Sequence, residues 1–129
     1  MGTRGAIMAR ILVCEDDPVY RELTGGLLAT RGHTVFFACN GAEAIEKLKD
    51  AAYDMVVTDL VMPGVDGLEL IKSIRENQGA VPVLAMSGGL GDLKDPLLMA
   101  ASVMGASRVI EKPFRGREFG AQIDALLNA

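Results

Sequence analysis

The chain contains only two cysteines and one histidine among its 129 residues. So small a set cannot build a zinc cage or a disulfide framework. The one histidine, His33, falls in a predicted turn before the second strand and reads as an ordinary surface residue. An excess of positive charge is also missing. Lys and Arg total 13 against 17 Asp and Glu, a net charge of −4, so no diffuse basic face is expected for nucleic acid or anionic lipid. No apolar run approaches the ~18 residues that a membrane span requires, and residues 1–8 lack the apolar stretch of a secretory signal. Repeats and low-complexity segments are absent. These absences point to a cytoplasmic protein with no membrane insertion and no direct nucleic-acid contact.

What is present is a core. Half of the residues are hydrophobic and 23% are charged, the balance of a globular domain and not of a disordered chain. At roughly 100–200 residues per domain the length allows one. The expected organisation is a tail at 1–8 and one domain at 9–129. Short β-rich runs recur about every 25 residues, at 11–14, 34–38, 55–58, 81–86 and 108–110. They are continuous and not alternating, as strands buried on both faces of a parallel sheet should be.

Helical patterns lie between the runs. Asp17-Pro18 opens the first, with Asp as N-cap and Pro at the first helical position, and Tyr20, Leu23 and Leu27 share its expected inward face. The second follows Asn40-Gly41 with Ala44, Ile45 and Leu48. The third follows Asp66, its expected N-cap, with Leu68, Leu70, Ile71 and Ile74. The fourth runs from about Asp92 to Met104 and contains Pro96, so it should start late or kink there. The fifth begins near Gly116 and turns Phe119, Ile123, Leu126 and Leu127 inward. Gly32, Gly79 and Gly105 mark helix ends. Gly25-Gly26 inside the first helix costs roughly 1 kcal/mol per glycine relative to alanine, which close approach of a partner helix would explain. Cys14 and Cys39 read as buried, inert thiols at the ends of adjacent strands, and Met99 and Met104 as core or half-buried packing. Five β-α units imply right-handed crossovers and an α/β fold, a parallel sheet between two layers of helices.

Ligands in such sheets bind beyond the carboxyl ends of the strands. There the first strand ends in Glu15-Asp16-Asp17, the third in Asp59, the fourth in Ser87 and the fifth in Glu111-Lys112-Pro113. Adjacent parallel strands would bring Glu15, Asp16 and Asp59 together. Two carboxylates ~4 Å apart repel by about 4 kcal/mol at an effective dielectric of 20, so the cluster calls for a cation. Few hard oxygen ligands with open sides suit hydrated Mg²⁺ better than a dedicated Ca²⁺ cage. Lys112 would add a fixed positive charge, and the Ser87 hydroxyl would donate into the same pocket. This set fits phosphoryl transfer onto Asp59 as nucleophile, with catalysis by positioning and charge.

These pieces, in this order, resemble the receiver domain of two-component response regulators from about Arg10 to Leu127, in particular the single-domain chemotaxis regulators. The resemblance rests on Ile11–Pro18, on Thr58–Gly67, on Ser87-Gly88, and on Gly105-Ala106 followed by Glu111-Lys112-Pro113-Phe114. It implies a flavodoxin-like (βα)5 doubly wound sheet, strand order 2-1-3-4-5, in a three-layer sandwich. It implies that Asp59 accepts a phosphoryl group from a histidine kinase or histidine phosphotransfer protein. Asp16, Asp59 and the backbone carbonyl of Val61 would bind Mg²⁺ directly, with Glu15 acting mainly through water. Ser87 would take the Thr/Ser switch position, and Lys112 the family's lysine position, usually followed by a cis peptide to proline.

The chain departs from the family pattern in four places. Glu15 stands for the usual Asp, leaving the charge intact. Val109 stands for the switch aromatic, which puts aromatic-rotamer signalling in doubt. The stretch from Ser87 to Lys112 is a few residues longer than usual. No output domain follows the fifth helix, so the expectation is a stand-alone receiver, monomer or weak dimer, that relays phosphate or switches binding to a downstream target protein. It would be no enzyme beyond phosphorylating and dephosphorylating itself. The alternative is a degenerate receiver that binds its partner without phosphorylation. A phosphatase using an Asp nucleophile is disfavoured, because Val61 stands where its second acid would be. Flavin or nucleotide binding is disfavoured because Glu15-Asp16-Asp17 replaces the anion cradle after the first strand.

Overall fold

The structure, a computed structural model, describes residues 8–62, 64–88 and 94–128. Five strands alternate with five helices: β1 (Arg10–Cys14), α1 (Pro18–Thr30), β2 (Thr34–Ala38), α2 (Gly41–Asp50), β3 (Met55–Asp59), α3 (Gly67–Asn77), β4 (Val83–Ser87), α4 (Lys94–Met104), β5 (Arg108–Glu111) and α5 (Gly116–Leu127). All strand pairs are parallel, in the order β2-β1-β3-β4-β5. The expected α/β sheet of order 2-1-3-4-5 is therefore the observed one. Strand β4 begins two residues later than the apolar run suggested, because Pro82 has no N–H to give the ladder; its carbonyl still accepts from Val56 N–H at 2.9 Å.

The side-chain period of two divides the core between the two faces of the sheet. Leu12 and Cys14 of β1 point to the side of α2, α3 and α4, among Leu48, Leu70, Ile71, Ile74 and Ala101. Ile11 and Val13 point to the side of α1 and α5, among Leu28, Phe119, Ile123 and Leu126. Strands β3 and β4 are buried along their whole length, which is why their sequence runs without alternation.

The helices start where their caps place them. Asp17, Asn40 and Asp66 accept from the N–H groups of Val19, Glu43 and Glu69 at 2.9, 2.8 and 2.9 Å. Gly32, Gly79 and Gly105 follow helices with φ of 92°, 66° and 119°, the left-handed region that disfavours a Cβ. Helix α4 starts late, at Lys94 with Pro96 in its first turn. The expected start at Asp92, the loop at 89–91, Pro63 and the tail residues 1–7 lie outside the described residues. Met8, the last residue of the expected tail, is exposed.

Several expectations about packing are corrected. On α1 the buried residues are Thr24, Gly25 and Leu28, whereas Leu23 is exposed and Leu27 half-buried. The partner that approaches Gly25 is no helix but the ring of Phe37 on β2, whose Cζ lies 2.5 Å from where a Cβ would stand. Met99 is exposed, and Met104 alone is half-buried. His33 is half-buried and structural: its Nδ1 accepts the Ala9 N–H at 3.1 Å, and burial lowers its pKa. Arg75, which no sequence pattern singled out, joins three segments. Its Nε donates to Gly105 O at 2.8 Å, its Nη1 to Gly79 O at 2.8 Å and Val81 O at 2.7 Å, and its Nη2 to Ser107 Oγ at 3.3 Å.

Two glycines separate close packing from mere composition. A Cβ on Gly67, at the start of α3, would lie 2.2 Å from Asp59 O and 2.6 Å from Leu60 Cα, both backbone; nothing lies within 4 Å of a Cβ on Gly26. Gly67→Ala is expected to lose about 2 kcal/mol to overpacking, and Gly26→Ala to gain roughly 0.5–1 kcal/mol by restricting the unfolded chain. Urea denaturation of both variants checks this; equal stability of Gly67→Ala and wild type would show that α3 does not press on Asp59.

Candidate functional site

The site lies where β1, β3 and β5 end. Register sets it: Cys14 pairs with Thr58, Asp59 with Met86, and Ser87 with Glu111, so the residues that follow each strand meet on one rim. Carboxylate oxygens of Glu15, Asp16 and Asp59 lie within 4.8 Å of one another. Glu15 is fully buried, Asp59 is 8% exposed and Asp16 faces solvent. The cleft beside them holds about 510 Å³ and is lined by Asp16 and Asp59, but not by Glu15, together with Asp17, Tyr20, Val61, Gly88, Lys112 and Pro113.

Lys112 answers the repulsion among the carboxylates. Its Nζ donates to Glu15 Oε1 at 2.6 Å and to Asp59 Oδ2 at 3.1 Å. To reach them from β5 it must cross the end of β4. Gly88 makes the crossing possible, since a Cβ there would stand 2.6 Å from Lys112 Cβ. The peptide bond from Lys112 to Pro113 is cis, as the family resemblance implies. The ammonium is held above its ordinary pKa: burial works against its charge, but the hydrogen bond to Glu15 and the charges of Asp59 and Glu15 outweigh it.

Glu15 has direct partners within the fold. Besides Lys112, its Oε2 accepts the Asp17 N–H at 3.2 Å. Burial pushes its carboxyl up to about 7, opposed by the hydrogen bond from Lys112 and reinforced by the charge of Asp59. Asp59 Oδ1 faces the Val61 N–H at 3.4 Å, and Val61 is 46% exposed. Ser87 is fully buried, and its Oγ has no hydrogen-bond partner among the described residues. A buried hydroxyl left unpaired costs roughly 1–3 kcal/mol.

The donor set fits Mg²⁺. Three carboxylates lie within 4.8 Å of one another, only Glu15 and Asp59 reach the Lys112 ammonium, and all ligand atoms are hard oxygens. The structure thus brings together Glu15, Asp16, Asp59, Val61 and Lys112, with Ser87 at the adjoining strand end. Two contributors went unmarked in the sequence. Arg21 donates from Nη1 to the Glu15 carbonyl at 3.1 Å and tethers the acidic loop to α1. Tyr20, expected to pack inward with Leu23 and Leu27, lies instead under Lys112, whose Nζ is 4.2 Å from the ring centroid. Helical spacing could have paired Tyr20 with the N-terminal rim of α1, but only register places Lys112 above it. Val109, at the switch-aromatic position, is half-buried against the cluster on the α2–α4 side.

Comparison with known proteins agrees with this geometry. The family described as response regulator receiver domain matches residues 11–124. The transcriptional activator protein PfeR of Pseudomonas aeruginosa is 38% identical over 118 residues, covering 92% of this chain and 37% of its own. The transcriptional regulatory protein FixJ of Bradyrhizobium diazoefficiens is 33% identical, covering 98% and 58%. A crystal structure of a putative response regulator from Chloroflexus aurantiacus superposes with a TM-score of 0.87 at 26% identity, covering 95% of this chain and 100% of that one. The chain spans about half the length of the curated relatives it matches. Among the described residues, no helix is long and apolar enough to cross a membrane.

The two thiols differ sharply. Cys14 is buried beside the Met62 sulfur at 3.4 Å, and burial pushes its thiol up to about 12. Cys39, expected to be buried, is exposed, because β2 is the sheet's edge. Since the thiolate is the reactive form, a chromogenic disulfide reagent at pH 8 should titrate one thiol per native chain and two in denaturant. Two fast-reacting thiols in the native protein would contradict the burial of Cys14.

Proposed function

The chain belongs to the response regulator receiver family, and from that premise we propose that it accepts a phosphoryl group on Asp59 from a phosphohistidine donor. The observation that carries the reading is the approach of Lys112 Nζ to Asp59 Oδ2 and Glu15 Oε1 at a cleft lined by Asp59 and Lys112, together with the buried Ser87 hydroxyl that has no partner among the described residues. A carboxylate oxygen of Asp59 attacks phosphorus, and the bond from phosphorus to the donor's imidazole nitrogen breaks. Its electron pair returns to the ring, which leaves neutral after taking one proton from solvent. The product is the mixed anhydride of Asp59 and phosphate.

The chain's own groups do the positioning. Lys112 moves with its charge from the free carboxylate toward the transferred phosphoryl oxygens. Ser87 donates its unpaired hydroxyl to one of them, drawing the end of β4 toward the site. Glu15, Asp16, Asp59 and the Val61 carbonyl would hold Mg²⁺, which when bound supplies further positive charge to the phosphoryl oxygens. No step needs a general base, and no turnover of external phosphomonoesters is proposed; the chemistry is limited to the protein's own phosphorylation and dephosphorylation.

The change at Ser87 biases a two-state equilibrium. Through the start of α4 it alters binding to a downstream target protein, or the phosphoryl group is relayed onward to a second histidine protein. We propose that this happens in the cytoplasm, as a monomer or weak dimer, without insertion into a membrane or direct contact with nucleic acid.

The main test uses a histidine kinase labelled at its histidine, with Mg²⁺. Label is expected on the wild-type chain and absent, to below 1% of wild type (an order-of-magnitude bound set by loss of the nucleophile), on Asp59→Asn. Equal labelling of that variant would move the acceptor elsewhere. No labelling of either by kinases or by acetyl phosphate would favour a receiver that binds its partner without phosphorylation.

A further inference from the structure

Tyr20 occupies the third position of α1, counted from Pro18, at the lip of the phosphoryl cleft. An ordinary helix position there would turn its side chain to solvent or to the neighbouring strand. Its ring instead lies under the Lys112 ammonium, 4.2 Å from centroid to Nζ. The Lys112 side chain is only 12% exposed. Its Nζ therefore has two carboxylate oxygens on one side and the face of an aromatic ring on another.

The ring is itself held. Tyr20 meets Phe114 edge to face, with centroids 5.9 Å apart, and Phe114 stacks on the fully buried Phe119 at 5.1 Å. Phe114 comes two residues after Lys112, so one loop carries both the cation and the aromatic that fixes its platform. Tyr20 is clamped between them. A lysine side chain is flexible and its ammonium is strongly hydrated. The negative face of a ring attracts a cation most where water is scarce.

We propose that Tyr20 is a positioning residue for Lys112, and through it for phosphoryl transfer to Asp59. The ring gives the ammonium a face along which it travels from the carboxylates toward the incoming phosphoryl oxygens without full rehydration. Tyr20 itself makes and breaks no bond. This inference rests on the reading of Asp59 as acceptor, and it adds a residue that the sequence pattern places in the core.

The chain has no tryptophan and two tyrosines. The other, Tyr53, packs against Phe36 and Arg10, remote from the cleft, so Tyr53→Phe leaves Tyr20 as the sole strong emitter. Two measurements follow. In the first, phosphorylation by acetyl phosphate with Mg²⁺ is timed for wild type, Tyr20→Phe and Tyr20→Leu, with thermal unfolding of each alongside. Tyr20→Phe keeps the ring and should react at the wild-type rate, while Tyr20→Leu should be ~10-fold slower at a similar melting temperature. A folded Tyr20→Leu that reacts at the wild-type rate overturns the proposal, as does a Tyr20→Phe as slow as Tyr20→Leu, which would assign the effect to the hydroxyl.

In the second, beryllofluoride and Mg²⁺ are added to the Tyr53→Phe protein. Tyrosine emission should change as the ammonium shifts over the ring, and should not change in the additional presence of Asp59→Asn. Unchanged emission in a protein that acetyl phosphate does phosphorylate overturns the proposal even if Tyr20→Leu fails to fold. Failure of wild type to be phosphorylated at all overturns the acceptor reading and this one together, and is told apart by the unreacted wild-type control.

Discussion

Lys112 lies 2.6 Å from Glu15 Oε1 and 3.1 Å from Asp59 Oδ2, tying together strand ends whose like charges would otherwise push apart. Most of the local structure around the site follows from bringing that ammonium there. It starts from the edge strand β5 and must pass the end of β4, so β4 is followed by glycine. Burial holds the Glu15 carboxyl high, at about 7, against the hydrogen bond from Lys112, and Asp16 is left outside the reach of the ammonium's two bonds. Removing one partner of such a buried pair leaves a charge uncompensated, at a typical cost of about 3–5 kcal/mol. The fold accepts that risk and gains an Asp59 carboxylate held in place by an opposing charge.

The surrounding packing protects this arrangement from behind. Gly67 brings the first turn of α3 against the Asp59 carbonyl, while Gly67 N–H donates to Leu60 O at 3.1 Å. Helix α1 contributes from the other side, through the Asp17 cap, the Arg21 bond to the Glu15 carbonyl and the ring of Tyr20. Away from the rim, Arg75 ties the end of α4 at Gly105 to α3 and to the start of β4. That places a fixed point at the C-terminal end of α4.

Much of this was legible in the residues themselves. Asp17-Pro18, Asn40-Gly41 and Asp66-Gly67 announced three helix starts because capping is a local hydrogen bond. The continuous apolar runs revealed strands β3 and β4 because both their faces are buried. Glu15, Asp16, Asp59 and Lys112 were legible as a group because each ends a strand. The misreadings share one cause. Tyr20 and Leu23 fit a helical stripe, yet the sheet below α1 selects Thr24, Gly25 and Leu28. Cys39 and Met99 are apolar by type but lie on an edge and an outer face. Arg75 looked like any surface charge until two loops, α3–β4 and α4–β5, folded around it.

The sequence by itself determined which elements form, in what order, and which charged groups end each strand, because caps, turn glycines and burial patterns act over a few neighbouring residues. Only the tertiary structure decided which groups touch. Lys112 and Glu15 are 97 residues apart, and their contact depends on register, on the crossing of β4 and on the absence of a Cβ at Gly88. None of these has a local signature, because a distance across a sheet is the sum of many packing choices.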